Sequence, residues 1–210
     1  PPGVLNVVHG GADVVNQLCD HPDVQAVSFI GSTHVGTHIY RRAGEAGKRV
    51  QAMMGAKNHC VVMPDAHKDQ AINNLIGSAF GAAGQRCMAN SVAILVGEAR
   101  SWLPEIVERS RTMRVNAGTD RTADLGPLVS PAAKLRVEGL IASGVAQGAN
   151  LLLDGRGITV EGYPNGNFVG ATVFSGVTTD MHIYHQEIFG PVLCLVEAET
   201  LDEAIAFINA

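Results

Sequence analysis

Apolar residues recur along the chain with two periods, and each period predicts a different kind of element. Six of them follow the i, i+3, i+4, i+7 spacing of one helix face: Ile72, Leu75, Ile76, Ala79, Phe80 and Ala83. We expect this helix to end at Gly84, because glycine readily adopts the left-handed conformation that stops a helix. The continuous apolar run over residues 92–96 predicts a buried strand. Cys87 is therefore expected in a helix-to-strand connection.

Short strands and helices also alternate through the first 55 residues. Residues 24–30 and 49–53 have the composition of strands, and the sequence Gly31-Ser32-Thr33 begins a helix between them. A strand followed by glycine, hydroxyl residues and a helix N-terminus can cradle a phosphate, because backbone N–H groups converge there. A serine at this place is more commonly only an N-cap, so both interpretations stay open.

The second half of the chain repeats the alternation. Ser130 and Pro131 predict the start of a helix, residues 151–153 a strand, and residues 192–196 a buried strand. Thr200 and Glu203 fit a capping box at the start of a last helix. Because apolar strands alternate with amphipathic helices, we predict the α/β class. The chain begins without methionine and stops within a helical pattern, which we interpret as a piece of a longer protein.

Composition excludes several classes of function. The 210 residues are 46% apolar and 17% charged, a usual balance for a globular protein. Fifteen basic against twenty acidic residues give a net charge of −5 without a basic cluster, so we expect no nucleic-acid partner. No apolar run approaches the roughly 20 residues of a membrane span, and we expect no membrane partner. Four cysteines without a Cys-x-x-Cys pair argue against a disulfide scaffold or a zinc site.

One cysteine differs from the other three in its neighbours. Cys19, Cys60 and Cys194 lie in apolar surroundings and are expected in the core, where free cysteines usually lie. Cys87 is flanked by glycine, glutamine and arginine, which suit a loop. The adjacent Arg86 supplies a fixed positive charge that favours thiolate over thiol. Cys87 is therefore a candidate nucleophile.

Three motifs together resemble one enzyme family. Gly84-Gln85-Arg86-Cys87, residues 28–36 and residues 187–192 occur in the order found in NAD(P)-dependent aldehyde dehydrogenases. Residues 54–66 and 80–89 are similar to the CoA-acylating branch of that family, the methylmalonate-semialdehyde dehydrogenases. The resemblance covers the whole chain. It implies an α/β fold in which residues 1–55 end a Rossmann-type NAD-binding domain and residues 56–210 form a catalytic thiol domain, truncated at its C-terminus.

The resemblance also implies a role for six residues. Cys87 would be the catalytic nucleophile, and Arg86 would bind the substrate carboxylate, for which a guanidinium is the best-matched side chain. Ser32 would contact the pyrophosphate of NAD, Glu187 the nicotinamide ribose, and Met54 and Phe189 the cofactor as well. Without the resemblance, we would expect Glu187 to be solvated and Phe189 to be part of the core. His182 and His185 lack a third ligand; we expect loop residues there and no metal.

Met53 departs from the general family pattern. Most aldehyde dehydrogenases have at this place a glutamate that activates water to hydrolyse the acyl-enzyme, and a thioether cannot accept a proton. We therefore expect the acyl group on Cys87 to leave on the thiol of coenzyme A, a better nucleophile than water. The implied reaction is NAD-dependent oxidative decarboxylation of methylmalonate or malonate semialdehyde to propionyl-CoA or acetyl-CoA. A hydrolytic dehydrogenase with another base, or a catalytically silent relative, remains the alternative.

The resemblance has three further implications. The whole protein would be a homodimer or homotetramer that acts on a small aldehyde bearing a carboxylate. It would lie in the cytoplasm, or in the mitochondrial matrix of a eukaryote. The family's side-chain oxyanion donor and its adenosine-binding lysine would precede Pro1, so the piece alone is expected to be inactive.

Overall fold

The computed structural model describes every residue from Pro1 to Ala210 and divides the chain into two compact units, Pro1–Gly55 and Ala56–Ala210. The predicted α/β class is confirmed. The first unit contains two helices and two strands: α1 (Ala12–Asp20), β1 (Ala26–Ile30), α2 (Thr33–Glu45) and β2 (Arg49–Met53). None of the helices in the chain combines the length and the apolar content that a membrane crossing requires.

In the first unit, β1 and β2 form a parallel pair in which Ile30 is opposite Met53. The carboxyl ends of both strands therefore lie at the same edge. The helices pack on this pair through a small cluster of buried residues: Cys19, Ile39 and Ala43. Strand β1 starts two residues later than the pattern predicts.

The second unit is built on a five-stranded sheet. Its elements are β3 (His59–Val62), α3 (Lys68–Phe80), β4 (Val92–Val96), α4 (Leu103–Arg111), α5 (Pro131–Ala146), β5 (Asn150–Leu153), β6 (Thr172–Ser175), α6 (His182–His185), β7 (Val192–Ala198) and α7 (Leu201–Asn209). The strand order is β3-β4-β7-β6-β5, with only the β5–β6 pair antiparallel. Every residue of β4 is buried, as expected for a parallel strand covered on both faces.

Helix ends follow the predicted signals in two cases and depart from them in one. The Ser130 hydroxyl accepts the N–H of Ala133 at 3.1 Å, and the Thr200 hydroxyl accepts the N–H of Glu203 at 3.2 Å. The predicted end of the cysteine-side helix at Gly84 is wrong, because α3 ends at Phe80. One 3₁₀ turn, Gly81–Gly84, follows it. His182 and His185 also differ from the prediction, since they bound the four-residue helix α6 instead of lying in a loop.

Candidate active site

The turn that leads to Cys87 is left-handed. Ala82 and Ala83 both have φ of 53°, and Gly84 has φ of 68°. Alanine rarely adopts this conformation because its Cβ crowds the following carbonyl. Gly84 is required for a second reason, since a Cβ there would lie 2.1 Å from the carbonyl oxygen of Gly190. The missing side chain lets the cysteine motif and the Glu187–Gly190 motif come into contact.

A small cavity of about 20 Å³ lies where these two motifs meet, with room for about one water molecule. Cys87, Arg86, Glu187 and Phe189 all line it, together with Asn58. The structure thus brings together four of the six predicted site residues, which are up to 103 positions apart in the sequence. Glu187 is the single carboxylate in the lining. The Cys87 side chain is exposed and therefore open to a reactant.

The Arg86 guanidinium is turned toward the C-terminal end of α3. Its Nη2 donates to the carbonyl oxygens of Gly77 at 2.6 Å and Ser78 at 3.1 Å. The negative end of a helix dipole favours a cation at this place. Gly81 makes room for it, because a Cβ there would lie 2.2 Å from Nη2. The Nε and Nη1 groups of Arg86 donate to no protein atom, so they remain free to bind a carboxylate.

Two cations hold the backbone on either side of Glu187. The Lys57 Nζ donates to the carbonyl oxygen of Gln186 at 3.0 Å, and the Arg136 Nη1 donates to that of Ile188 at 2.5 Å. Burial lowers the pKa of Lys57, which no carboxylate pairs directly. Phe189 then has φ of 50°, a strained value for a bulky residue. The segment is therefore held in one conformation by charge-assisted hydrogen bonds.

Ser32 and Met54 lie in the first unit, at the carboxyl edge of the β1–β2 pair. Ser32 is the N-cap residue of α2, yet its hydroxyl accepts no capping hydrogen bond. Met54 packs on α2, where Gly36 leaves space for it, since a Cβ on Gly36 would lie 2.6 Å from the Met54 Cγ. The sulfur also accepts the Thr37 hydroxyl at 3.7 Å. The helix N-terminus and the Ser32 hydroxyl are thus both free for a ligand.

The other cysteines are less accessible than Cys87. Cys19 and Cys194 are buried, and Cys60 is half-buried. Burial raises the pKa of the Cys194 thiol to about 11 and raises the pKa of the Cys60 thiol as well. Neither is suited to act as a thiolate near neutral pH. The structure also assembles no group of three or more His, Cys, Asp and Glu side chains able to hold a metal ion.

Two amides near Cys87 have roles that the sequence analysis did not find. The Gln85 Nε2 donates to the carbonyl oxygens of Ala82 and Pro127, and its Oε1 accepts the N–H of Val129 at 2.8 Å. The side chain thereby joins the turn before Cys87 to the loop before α5. The second amide is Asn58, which contacts the segment that carries Cys87. Apart from the bond to Ala82, which is three positions away, these contacts have no local sequence signal, because the partners are 29 to 44 positions away.

The known proteins that this chain resembles are aldehyde dehydrogenases. The model of the aldehyde dehydrogenase family matches residues 1–210. The mitochondrial methylmalonate-semialdehyde/malonate-semialdehyde dehydrogenase [acylating] of Mus musculus is 61% identical over 209 residues, covering 100% of this chain and 39% of that protein. The human relative of the same name is 60% identical, with the same coverage. The chain therefore spans about two fifths of the length of these relatives.

Two solved structures are also similar to this chain over nearly its whole length. A putative methylmalonate-semialdehyde dehydrogenase from Sinorhizobium meliloti, complexed with NAD, superposes with a TM-score of 0.94 at 48% identity, over 99% of this chain and 43% of that one. The methylmalonate-semialdehyde dehydrogenase from Oceanimonas doudoroffii gives a TM-score of 0.93 at 44% identity, over 98% of this chain and 42% of that one.

Proposed function

Because this chain belongs to the aldehyde dehydrogenase family, we propose that the whole protein containing it is an NAD-dependent, CoA-acylating dehydrogenase of methylmalonate or malonate semialdehyde. The observation that carries the proposal is the cavity lined by Cys87, Arg86, Glu187 and Phe189. It joins an exposed thiol to a cation with free N–H groups. The relatives named above are called acylating dehydrogenases of these two semialdehydes, and one similar solved structure contains NAD.

The reaction begins at the Cys87 sulfur. The thiolate adds to the aldehyde carbon, and the carbonyl π electrons move to oxygen. The N–H of Cys87, which donates to no protein atom, is available to stabilise that oxyanion. Arg86 binds the substrate carboxylate through an N–H group that no protein atom accepts, and so holds the aldehyde carbon near the thiolate. Carbonyl re-formation with departure of a hydride leaves a thioester on Cys87.

Bound NAD supplies the hydride acceptor for this step. The chain has groups that fit a dinucleotide: the uncapped N-terminus of the 13-residue helix α2 with the Ser32 hydroxyl suits a pyrophosphate, and the Glu187 carboxylate can accept hydrogen bonds from a ribose. Phe189 offers a ring face beside Glu187. Met54 packs against α2 and would complete the cofactor surface of the first unit.

The acyl group is then released from Cys87 to coenzyme A. The substrate carboxylate leaves as CO₂, its bonding electrons pass to the adjacent carbon, and that carbon takes a proton. The thiolate of coenzyme A then adds to the thioester and expels the Cys87 thiolate. Propionyl-CoA or acetyl-CoA results. Met53, which ends β2, has no proton-accepting group with which to activate water in competition.

A hydrolytic dehydrogenase is the second candidate, because Glu187 lines the same cavity as Cys87 and could serve as a base. The test compares NADH formation and acyl products of the full-length protein with and without coenzyme A. We expect turnover to require coenzyme A in the wild type, and Met53→Glu to acquire coenzyme A-independent release of free acid. Met53→Gln, of equal length but not basic, is the control. Free acid from the wild type would favour the second candidate.

We further propose that the whole protein is a homodimer or homotetramer, and that it lies in the mitochondrial matrix if it is eukaryotic and in the cytoplasm otherwise. The family resemblance supports both statements. Light scattering of the full-length protein measures the first, and a single-subunit mass would contradict it.

A further inference from the structure

The segment that carries Cys87 is held to the sheet by one side chain, that of Asn58. The Asn58 Nδ2 donates to the carbonyl oxygen of Cys87 at 2.7 Å and to that of Ala89 at 3.0 Å. One amide group thus uses both of its N–H bonds on the nucleophile and on a residue two positions beyond it.

Asn58 is itself held firmly. It immediately precedes β3, and its backbone carbonyl accepts the N–H groups of Ser91 and Val92, each at 3.1 Å. Val92 begins the fully buried β4 and is the register partner of His59 in β3. A side chain anchored on two paired strands is a precise support for a loop, because groups built on strands are held more precisely than groups on loops.

The peptide planes on both sides of Cys87 are each held by a hydrogen bond. The carbonyl oxygen of Arg86 accepts the N–H of Ala89 at 3.0 Å, which orients the peptide that contains the N–H of Cys87. Asn58 orients the next peptide through the Cys87 carbonyl. Further along, the Ser78 hydroxyl accepts the N–H of Asn90 at 3.2 Å. Of these contacts, only that of Asn58 acts on Cys87 itself.

We propose that Asn58 is a positioning residue for the nucleophile: it fixes the peptide that follows Cys87 and thereby the direction of the Cys87 side chain during thiolate addition. This inference rests on the proposed function, in which Cys87 attacks an aldehyde. Asn58 acts through Cys87 and not on the substrate. Its loss therefore lowers kcat while leaving KM for the aldehyde nearly unchanged, because Arg86 still binds the carboxylate.

The test uses the full-length protein with Asn58→Asp, Asn58→Ala and the control Asn74→Ala. Asn58→Asp keeps the size of the side chain but places acceptors against two carbonyl oxygens. A loss of activity in this variant therefore reports the lost hydrogen bonds and not lost packing. Asn74 is exposed on α3 and makes no side-chain hydrogen bond. We expect kcat to fall by about 10- to 100-fold in both Asn58 variants, most in Asn58→Asp, since a displacement of about 1 Å can cost 100-fold.

Hydrogen exchange measured by mass spectrometry provides a readout that does not depend on turnover. The amides of Ala89 and Asn90, which are hydrogen-bonded in the wild type, should exchange faster in both Asn58 variants and at the wild-type rate in Asn74→Ala. Unchanged exchange, an unchanged kcat, or a milder effect of Asn58→Asp than of Asn58→Ala would each overturn the proposal. A wild type that oxidises no aldehyde would overturn the proposed function together with this inference, whereas active wild type with unaffected variants would overturn this inference alone.

Discussion

At the residue scale, the site depends on how each reactive side chain is held. Cys87 and Arg86 are adjacent in sequence, yet the Arg86 guanidinium is anchored on the carbonyl oxygens of Gly77 and Ser78. The sequence predicts that the two residues share a site, because they belong to one motif. It could not predict this anchor, nor the contact from Asn58, since both depend on how α3 and β3 are placed in the folded unit.

Replacing Arg86 tests its role in substrate binding. Arg86→Gln removes a charged donor to the substrate carboxylate, and such hydrogen bonds contribute about 1.5–3 kcal/mol. We expect kcat/KM of the full-length protein for malonate semialdehyde to fall by about 10- to 100-fold, with a change below about 3-fold for propanal, which has no carboxylate. Arg121→Gln, at an exposed loop residue without an ion pair, is the control. Equal losses on both aldehydes would show that Arg86 acts on the thiol instead.

At the element scale, the predicted strand over residues 92–96 has the observed bounds, whereas the predicted helix end is four residues late. The strand is recognisable because a fully buried parallel strand must be apolar throughout. The helix end is not, because Ala82 and Ala83 favour helix by propensity and yet form the left-handed turn before Cys87. Contact of Gly84 with Gly190, which is remote in sequence, selects that turn.

The strain in this turn predicts a stabilising substitution. Ala82 is exposed and has φ of 53°, so Ala82→Gly removes a steric cost without removing a packed group. We expect the free energy of unfolding to rise by about 1 kcal/mol in denaturant titration of the full-length protein. Ala142→Gly, at an exposed position inside α5, should lower it by about 1 kcal/mol. A loss of stability in Ala82→Gly would contradict the left-handed conformation.

His59, the first residue of β3, predicts that the protein loses stability as the pH falls. The Nε2 of His59 is buried without a hydrogen-bond partner, and burial lowers the pKa of His59 below its usual 6.5. The unfolded chain therefore binds a proton on His59 more readily than the folded chain does. The stability that the neutral His59 ring contributes is fully present above about pH 6.5, and it is lost as the pH falls from there toward the lowered pKa of His59.

Denaturant titrations between about pH 7 and pH 5 measure this effect. We expect His59→Phe, which keeps a ring beside Tyr184, to lose less stability over that range than the wild type does. His182→Gln, at an exposed position, should behave like the wild type. Equal acid sensitivity of His59→Phe and the wild type would exclude His59 as the cause.

At the scale of the whole chain, the alternation of apolar strands and amphipathic helices is sufficient to predict the α/β class. The strand order β3-β4-β7-β6-β5 is not predictable in this way, because β7 is inserted between strands that precede it in sequence. That insertion carries the Glu187–Gly190 segment to Cys87. The motifs indicated that these residues serve one reaction, and the topology gives the physical reason why they meet. The assignment of the two units to cofactor binding and catalysis stays a prediction.

The most direct test of the central claim is a single turnover of the full-length protein with NAD and malonate semialdehyde in the absence of coenzyme A. We expect one equivalent of NADH per active site and a Cys87-containing peptide heavier by one acetyl group, which coenzyme A then removes as acetyl-CoA. Continuous NADH formation without coenzyme A, with Cys87 unmodified and free acid as the product, would contradict it.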